Sequence, residues 1–351
     1  MSSVALSPPA AANPGPSPLV LRKPYLIFLG DVDDPLTAKT AFGLRDWINS
    51  DLIGQWRSSP RAVDLGLPDV TPEQAAFRGA GSIIVGAAPA GGHLSDDWEQ
   101  MLARAARAGL DLVAGLHSRL NQRPALVAAA REANIALHDV RHFDGALPIG
   151  TGERRPGKRL LTVGTDCAIG KKYTALAITR EMQSRGVNCH FRATGQTGIM
   201  IAGQGISIDA VVADFLSGAA ELISPANLPD HWDIVEGQGS LFHPSYAGVA
   251  LGLLHGSQPD AIVLCCDPAR TEIHGCPGFP TPPIELAIER NIEAARLTNP
   301  AVKCVGISVN TARVEASQAR QLLDRISSDF GIPCIDPLRW GAAEIVDQLL
   351  K

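Results

Sequence analysis

The amino-acid sequence predicts an α/β protein of two domains, each built on a parallel β-sheet covered by helices. Short runs of Ile, Val and Leu alternate with longer amphipathic segments along nearly the whole chain. The 351 residues are enough for two ordinary domains. Hydrophobic residues make up 45% of the chain but aromatic residues only 5%, and this richness in small aliphatic side chains suits buried parallel strands.

Composition also excludes several classes of protein. The net charge is −5 and no long run of Lys or Arg occurs, so we expect no nucleic-acid surface. Residues 1–23 form a Pro/Ala/Ser-rich segment that we predict to be a disordered tail, without a basic start or an apolar core for export. No apolar stretch is long enough to span a membrane. Seven scattered cysteines indicate no disulfide framework, so the sequence predicts a reduced, cytoplasmic protein.

The first domain is predicted to cover residues 24–150 and to alternate strands with helices like a small Rossmann-type domain. It lacks a G-x-G-x-x-G sequence at its first turn, so we expect no dinucleotide site there. The predicted strands are 25–29, 61–65, 81–85, 112–116 and 135–139, and the predicted helices are 38–48, 98–108 and 124–133.

The loop after the first strand carries a cluster of acidic residues. Asp31, Asp33 and Asp34 crowd the carboxyl end of that strand, where open α/β sheets bind ligands. Turn and cap roles are the more frequent reason for such residues in a loop. Lys39 and Thr40 begin the following helix and could face the same crevice.

The second domain is predicted to cover residues 159–351, after a boundary segment at 144–158 that is rich in Gly, Pro and charge. It opens with a strand, a loop from Gly164 to Gly170, and a helix that starts near Lys171. Backbone N–H groups, a helix N-terminus and a lysine in that order hold phosphate, as in P-loop proteins. The usual pattern places Ser or Thr after the lysine to hold Mg²⁺, but this sequence has Lys172. We therefore predict a phosphate-binding loop with a weakened affinity for Mg-ATP.

The rest of the second domain continues the alternation of a doubly wound parallel sheet. We interpret 193–216 as a long Gly/Gln/Thr-rich loop feeding a helix near Asp209. We interpret 231–256 as a strand followed by a loop, with Glu236 at the carboxyl end of the strand. The other predicted strands are 187–193, 261–266, 302–309 and 332–335, and the other predicted helices are 284–297, 314–330 and 342–350.

Two resemblances refine this interpretation. The segments GTDCAIGKK, VEGQGS and GISVN resemble dethiobiotin synthetase, whose G-T-D-x₃-G-K-T loop wraps ATP, although Lys172 departs from that pattern. Four longer segments, LGDVDDPLTAKTA, VGTDCAIGKKYTA, ATGQTGIMIAGQG and VEGQGSLFHPSYAG, resemble a two-domain family long catalogued as a domain of unknown function. Its characterised members are DgcN-type D-glutamate N-acetyltransferases. The resemblance implies acetyl-CoA as the acetyl donor, an acidic amino acid as the acceptor, and a partner racemase that takes the product.

Coenzyme A carries several phosphates, which suits a phosphate loop that has exchanged its Mg²⁺-holding hydroxyl for a second lysine. We assign cofactor binding to Gly164, Thr165, Gly170, Lys171, Lys172 and Tyr173, with no metal. For Lys172 and Tyr173 the alternative is a solvated first helical turn.

Acetyl transfer needs a neutral amine, and removing the proton of a free amino acid at neutral pH costs about 3–4 kcal/mol. A carboxylate or a histidine is therefore expected as the general base. The first candidates are Glu236 and Asp166, followed by His243 and His274. Asp166 could equally be a residue that shapes its loop. Cys167 is more naturally a lining residue, although an acetyl-cysteine intermediate is conceivable.

The substrate's carboxylates are matched by arginine in bidentate fashion. Our candidates for this role are Arg192, Arg270 and Arg313, with Gln196 as a further polar contact.

Two other functions stay open at this point. An ATP- and Mg²⁺-dependent ligase or kinase of the dethiobiotin-synthetase type would need Glu236 and Asp267 as metal ligands. A nucleotide-sensing protein would bind phosphate without turnover. The Ala-rich first domain and the apolar helices also favour a homodimer.

Overall fold

A computed structural model describes residues 19–351, and these residues form two parallel sheets with helices between their strands. The first sheet has the order β2-β1-β3-β4-β5. Its strands are β1 (Tyr25–Gly30), β2 (Leu52–Arg57), β3 (Ser82–Val85), β4 (Asp111–Ala114) and β5 (Leu137–Asp139). The helices of this part are α1 (Lys39–Ile48), α2 (Pro72–Phe77), α3 (Asp96–Arg107) and α4 (Pro124–Ala133).

The second sheet has the order β11-β10-β9-β6-β8-β7. Its strands are β6 (Lys158–Gly164), β7 (Cys189–Arg192), β8 (Trp232–Val235), β9 (Ala261–Cys266), β10 (Lys303–Val309) and β11 (Cys334–Ile335). Its helices are α5 (Lys171–Ser184), α6 (Gln196–Ala202), α7 (Leu216–Ile223), α8 (Ala247–Ser257), α9 (Ile284–Ala295), α10 (Ala316–Phe330), α11 (Pro337–Trp340) and α12 (Ala343–Leu350). The fold class predicted from the sequence, a Rossmann-like domain followed by a P-loop domain, is confirmed.

Successive residues of β6, an inner strand of the second sheet, face opposite sides of that sheet. Leu160 packs in the cluster that contains Ile178 of α5, whereas Leu161 packs in the cluster that contains Leu253 of α8. Because side chains alternate along a strand, a strand buried on both faces is mostly apolar. That requirement explains Leu160, Leu161 and Val163, while the buried Thr162 accepts a hydrogen bond from the Gly237 N–H at 2.9 Å.

The predicted strand at 61–65 is wrong, and the second strand is β2 instead. LIGQWR contains a glycine and a glutamine, which weakens the strand pattern in the sequence. The buried Gln55 explains the difference, because its side chain accepts a hydrogen bond from the Leu65 N–H at 2.8 Å and donates one to Asp64 at 2.8 Å. The 61–65 segment is therefore a loop, with Ala62, Val63 and Leu65 buried, that the Gln55 side chain holds in place.

Helices α6 and α8 lie in segments that we predicted as loops, and their glycines are the reason in both cases. Three glycines of α8 recur every four residues, Gly248, Gly252 and Gly256, and the last two lie where it packs on α7. A Cβ on Gly252 would lie 2.8 Å from the Leu216 Cβ, and one on Gly256 would lie 2.2 Å from the Ser217 carbonyl oxygen. These glycines permit close helix packing rather than breaking the helix. The helix predicted near Asp209 is a single 3₁₀ turn, Ile208–Ala210, and α7 begins later.

The two sheets are joined by contacts between α1 of the first part and α5 and α6 of the second. Thr40 and Thr197 share a hydrogen bond of 3.0 Å between their hydroxyls, and Met200 of α6 packs in the same apolar cluster as Leu44 of α1.

Of the predicted tail, residues 1–18 lie outside the described residues. Arg22 is ordered and forms an ion pair with Asp111 at 2.6 Å. Within residues 19–351, no helix has the length and apolar character that crossing a membrane requires.

Candidate functional site

The loop between β6 and α5 is shaped to receive an anion. The Thr165 N–H donates to the Cys265 carbonyl oxygen at 3.1 Å, which ties the loop to β9. Ala168 (φ 52°) and Gly170 (φ 111°) turn the chain into α5, whose first turn no side chain caps. The N–H groups of that turn and the positive end of the helix dipole therefore point at the loop.

Lys171 lies inside this loop. It is buried, and its Nζ donates to the Asp166 carbonyl oxygen at 2.6 Å. Burial lowers the pKa of Lys171 because the surroundings disfavour its charge. A lysine held there supplies a positive charge to an oxyanion bound by the loop.

Asp166 and Arg270 hold the loop in shape. The buried Asp166 carboxylate accepts hydrogen bonds from the Cys167 N–H at 2.6 Å, the His274 N–H at 2.9 Å and Arg270 Nη1 at 2.6 Å. Arg270 also donates to the carbonyl oxygens of Cys167 at 2.7 Å and Ala168 at 3.2 Å. Both side chains are engaged with the protein itself, so the geometry favours the loop-shaping alternative for Asp166. It also leaves Arg270 with its guanidinium already occupied.

Glu236 lies at the carboxyl end of β8, the strand next to β6. It is buried, and its Oε2 accepts hydrogen bonds from the N–H groups of Thr194 at 3.0 Å and Gly195 at 3.1 Å. Burial raises the pKa of Glu236, while the nearby charge of Lys172 and the two N–H donors act in the opposite direction. A Cβ on Gly198 would lie 2.3 Å from Oε2, so the glycine makes room for this carboxylate. The arrangement gives a carboxylate that takes up a proton more readily than an exposed one.

Lys172, which replaces the usual hydroxyl, extends toward the first domain. A Cβ on Gly43 of α1 would lie 2.8 Å from its Nζ, and the ammonium lies 5.4 Å from the centre of the Tyr173 ring. Burial lowers the pKa of Lys172 to about 8, with Lys39 acting in the same direction and Glu236 in the other. Lys172 thus lies where α5 meets α1, at the junction of the two domains.

Tyr173 and Gln196 also lie where the domains meet. The Tyr173 hydroxyl donates to Asp46 at 2.7 Å, and its ring meets the Trp47 ring edge-on at 5.8 Å between centroids. Gln196 begins α6 and packs against Gly115 of the first domain, where an added Cβ would lie 2.6 Å from the Gln196 Cγ. Tyr173 therefore joins the domains, and this contact could not be expected from sequence pattern because Asp46 is 127 residues away.

The structure does not bring Arg192 to this site, which is a correction to the prediction. Its Nε donates to Asp233 at 2.6 Å inside β8, in a cluster that also contains His231 and Ser224. Arg192 therefore forms a buried ion pair within the sheet. Arg313 is exposed and pairs with Asp267 at 2.7 Å.

His243 is a weaker candidate base than its position suggests. Its Nδ1 accepts from the Ser245 N–H at 3.1 Å, so the proton is on Nε2, which donates to the His274 carbonyl oxygen at 3.1 Å. Both ring nitrogens are engaged. Asp166, Cys167 and His243 each place one potential ligand atom within 4.8 Å of the others. The lone pair of His243 Nδ1 is engaged by the Ser245 N–H, so His243 has no free lone pair for a metal ion.

The thiol of Cys167 is partly buried, and this burial raises its pKa against the opposing charges of Lys171, Lys39 and Arg270. A neutral thiol fits the lining role better than that of a nucleophile.

In the first domain, Asp31 accepts a hydrogen bond from the Trp98 indole at 3.1 Å, and Asp34 accepts from the Leu36 N–H at 3.2 Å. Both therefore have turn or packing roles, as their loop position favoured.

Sequence reasoning missed three residues that shape the crevice: Gly43, Asp46 and Thr194. Thr194 lies in the segment ATGQTG that the family resemblance singled out, so a signal for it was present. Gly43 and Asp46 are ordinary helix residues in sequence, and only their contacts with α5 identify them.

The fold and the site together define a two-domain α/β protein with a P-loop-type anion site at the junction of its domains. The chain belongs to the DUF1611 family. The family's C-terminal P-loop domain, described as a domain of unknown function, matches residues 148–346, and its N-terminal Rossmann-like domain matches residues 56–143.

Similar proteins cover nearly the whole chain. A D-glutamate N-acetyltransferase of Tritonibacter scottomollicae is 46% identical over 330 residues, which are 94% of this chain and 99% of the relative. One of a Pseudoalteromonas species is 47% identical over 329 residues, with the same coverage. The crystal structure of a DUF1611 family protein from Anabaena variabilis is 31% identical, with a TM-score of 0.84, and covers 93% of this chain and 99% of its own. The sequence-based identification of the family is confirmed.

Proposed function

We propose that this protein is a D-glutamate N-acetyltransferase that uses acetyl-CoA. The observation that carries the proposal is the identity of 46–47% to two proteins of that name, each covered over 99% of its length. In the reaction, the amine of the substrate attacks the thioester carbonyl, the new C–N bond forms, and the C–S bond to coenzyme A breaks. The amine loses a proton, and the departing thiolate gains one.

The residues of the site have roles in this scheme. The loop from Gly164 to Gly170, with Lys171, binds a phosphate of coenzyme A, which needs no metal ion. Glu236 accepts the proton of the substrate amine, because burial moves its pKa toward the working pH. The pantetheine arm carries the thioester from the loop along the crevice to Glu236.

The Mg-ATP alternative has less support from the geometry. Asp267, one of the carboxylates that it would need, pairs with Arg313 at 2.7 Å and accepts from the Ala269 N–H at 3.0 Å. Glu236 accepts from two N–H groups. Cytoplasmic location belongs to the proposal and agrees with seven unpaired cysteines. The homodimer stays a prediction, which light scattering after gel filtration would test.

The test is release of free thiol from acetyl-CoA in EDTA, with D-glutamate, L-glutamate, D-aspartate and D-glutamine as acceptors. We expect release with D-glutamate and a product of the mass of N-acetylglutamate. Mg-ATP replaces acetyl-CoA in a parallel reaction that is assayed for ADP. No thiol release with any acidic acceptor would refute the proposal, and D-glutamate-dependent ADP formation would favour the alternative.

A further inference from the structure

We propose that Lys39 and Lys172, one from each domain, form a two-lysine site for a single oxyanion of a ligand held in the crevice. The inference rests on the proposed function, in which both substrates carry oxyanions: the carboxylates of D-glutamate and the phosphates of coenzyme A. The chemistry of the site is the same for either source.

The geometry of α1 places both lysines on one side of the crevice. Lys39 is the first residue of α1, and Gly43 follows one helical turn later on the same face. Gly43 is also the point at which α1 approaches the Lys172 ammonium, since a Cβ there would lie 2.8 Å from Nζ. The face of α1 that carries Lys39 is therefore the face that meets Lys172.

The two lysines have different charged neighbours: the carboxylates of Glu236 and Asp46 act to raise the pKa of Lys172. Lys39 is exposed, and among residues 19–351 no carboxylate lies within 4.0 Å of its ammonium. Its charge lowers the pKa of Lys172, although less than burial does. A lysine in the first turn of a helix also opposes the helix dipole. The like-charge and dipole interactions of Lys39 both cost free energy, and an oxyanion bound between the ammonium groups would offset them.

The arginines predicted for carboxylate binding are committed elsewhere. Arg192 pairs with Asp233, and Arg270 clamps the phosphate loop. Within residues 19–351 neither lysine ammonium donates a hydrogen bond, so we assign oxyanion recognition to the two lysines rather than to the arginines. Lysine binds an oxyanion as a point charge, without the fixed bidentate geometry of arginine.

The experiment compares Lys39→Met and Lys39→Arg with wild-type protein and with Lys303→Met. Lys303 is an exposed lysine at the amino end of β10, which is the opposite edge of the sheet from the loop. Isothermal calorimetry measures the affinity for D-glutamate and for coenzyme A separately, and steady-state kinetics gives KM for each substrate. Melting temperature is measured for every variant.

We expect Lys39→Met to weaken one of the two ligands by roughly tenfold, with Lys39→Arg restoring most of the affinity and Lys303→Met changing neither. Weaker D-glutamate identifies a carboxylate, and weaker coenzyme A identifies a phosphate. The melting temperature of Lys39→Met should be equal or higher, because an unfavourable charge is removed from the helix start. Unchanged affinity for both ligands would overturn the two-lysine site. Calorimetry does not need turnover, so a wild-type protein that binds both ligands but transfers no acetyl group would count against the proposed function alone.

Discussion

Glu236 is the residue whose surroundings best match proton transfer. Replacing it with glutamine keeps an oxygen for the N–H groups of Thr194 and Gly195 but removes the acceptor for the substrate's proton. We expect Glu236→Gln to lower kcat by about 10²–10⁴-fold, the usual contribution of a general base, with little change in melting temperature. Thiol release and circular dichroism measure the two effects. Glu293→Gln on the exposed side of α9 is the control, and a kcat within twofold of wild type would exclude Glu236 as the base.

Lys172 makes the stability of the protein depend on pH in a particular direction. Its pKa is about 8 in the folded chain, against its ordinary value of 10.5. Between these values the unfolded chain holds a proton that the folded chain has lost, so the free energy of unfolding rises with pH, by at most ~1.4 kcal/mol per unit for one group. The charged groups near Lys172 are Glu236, which follows β8, and Lys39 and Asp46 of α1.

We therefore expect Lys172→Met to be more stable than wild type near pH 7 and to lose this advantage as the pH approaches about 10.5. Urea denaturation from pH 7 to 10.5 measures the difference between the two proteins. A difference that stays constant with pH would show that the Lys172 proton does not couple to folding. Lys303→Met, which removes an exposed lysine, controls for the general effect of losing one charge.

Some site residues could be predicted from the sequence, and others could not because their side-chain partners lie far away in the chain. Lys171 and Glu236 could be predicted from their positions after strands, and the structure places both at the edge of the sheet where those strands end. Arg192 and Arg270 also occupy such positions, but their ion-pair partners lie 41 and 104 residues away. Only the register of neighbouring strands and loops decides whether such an arginine is free for a ligand.

At the scale of the element, the phosphate loop depends on a clamp from the loop after β9. Arg270→Met removes three hydrogen bonds to the loop and leaves the buried Asp166 without its cationic partner. We expect the free energy of unfolding to fall by up to about 3–5 kcal/mol. We also expect the affinity for coenzyme A to fall more than the affinity for D-glutamate. Hydrogen exchange of residues 164–170 and calorimetry measure these effects.

Arg313→Met is the matched control for this prediction, since Arg313 contacts Asp267 from an exposed position and does not touch the loop. Equal protection of the loop amides in wild type and Arg270→Met would contradict the role of Arg270 as a clamp.

The two helices that we predicted as loops, α6 and α8, were missed for the same reason. A sequence rule treats glycine as a break in a helix, yet Gly252 and Gly256 of α8 are there because α7 approaches closely. Likewise Gly198 in α6 leaves space for the Glu236 carboxylate. In each case the neighbour that makes glycine necessary belongs to another element, so its presence could not be inferred from local pattern.

At the scale of the whole molecule, the junction between the domains includes the hydrogen bond from Tyr173 to Asp46. We expect Tyr173→Phe to destabilise the protein by about 0.5–1.5 kcal/mol, because the ring keeps its packing on Trp47 and only the hydrogen bond is lost. A double-mutant cycle with Asp46→Asn measures the coupling between the two side chains. A coupling energy of zero would mean that the hydrogen bond does not stabilise the junction.

The place of β6 in the second sheet limits how this molecule can move. β6 is bonded to β9 on one side and to β8 on the other, and the loop continues directly from its last residue, Gly164. Beyond Leu161, β6 pairs with β9 alone, and the Thr165 N–H continues that contact to the Cys265 carbonyl oxygen. A shift of the loop would therefore have to carry β9 with it or break that hydrogen bond.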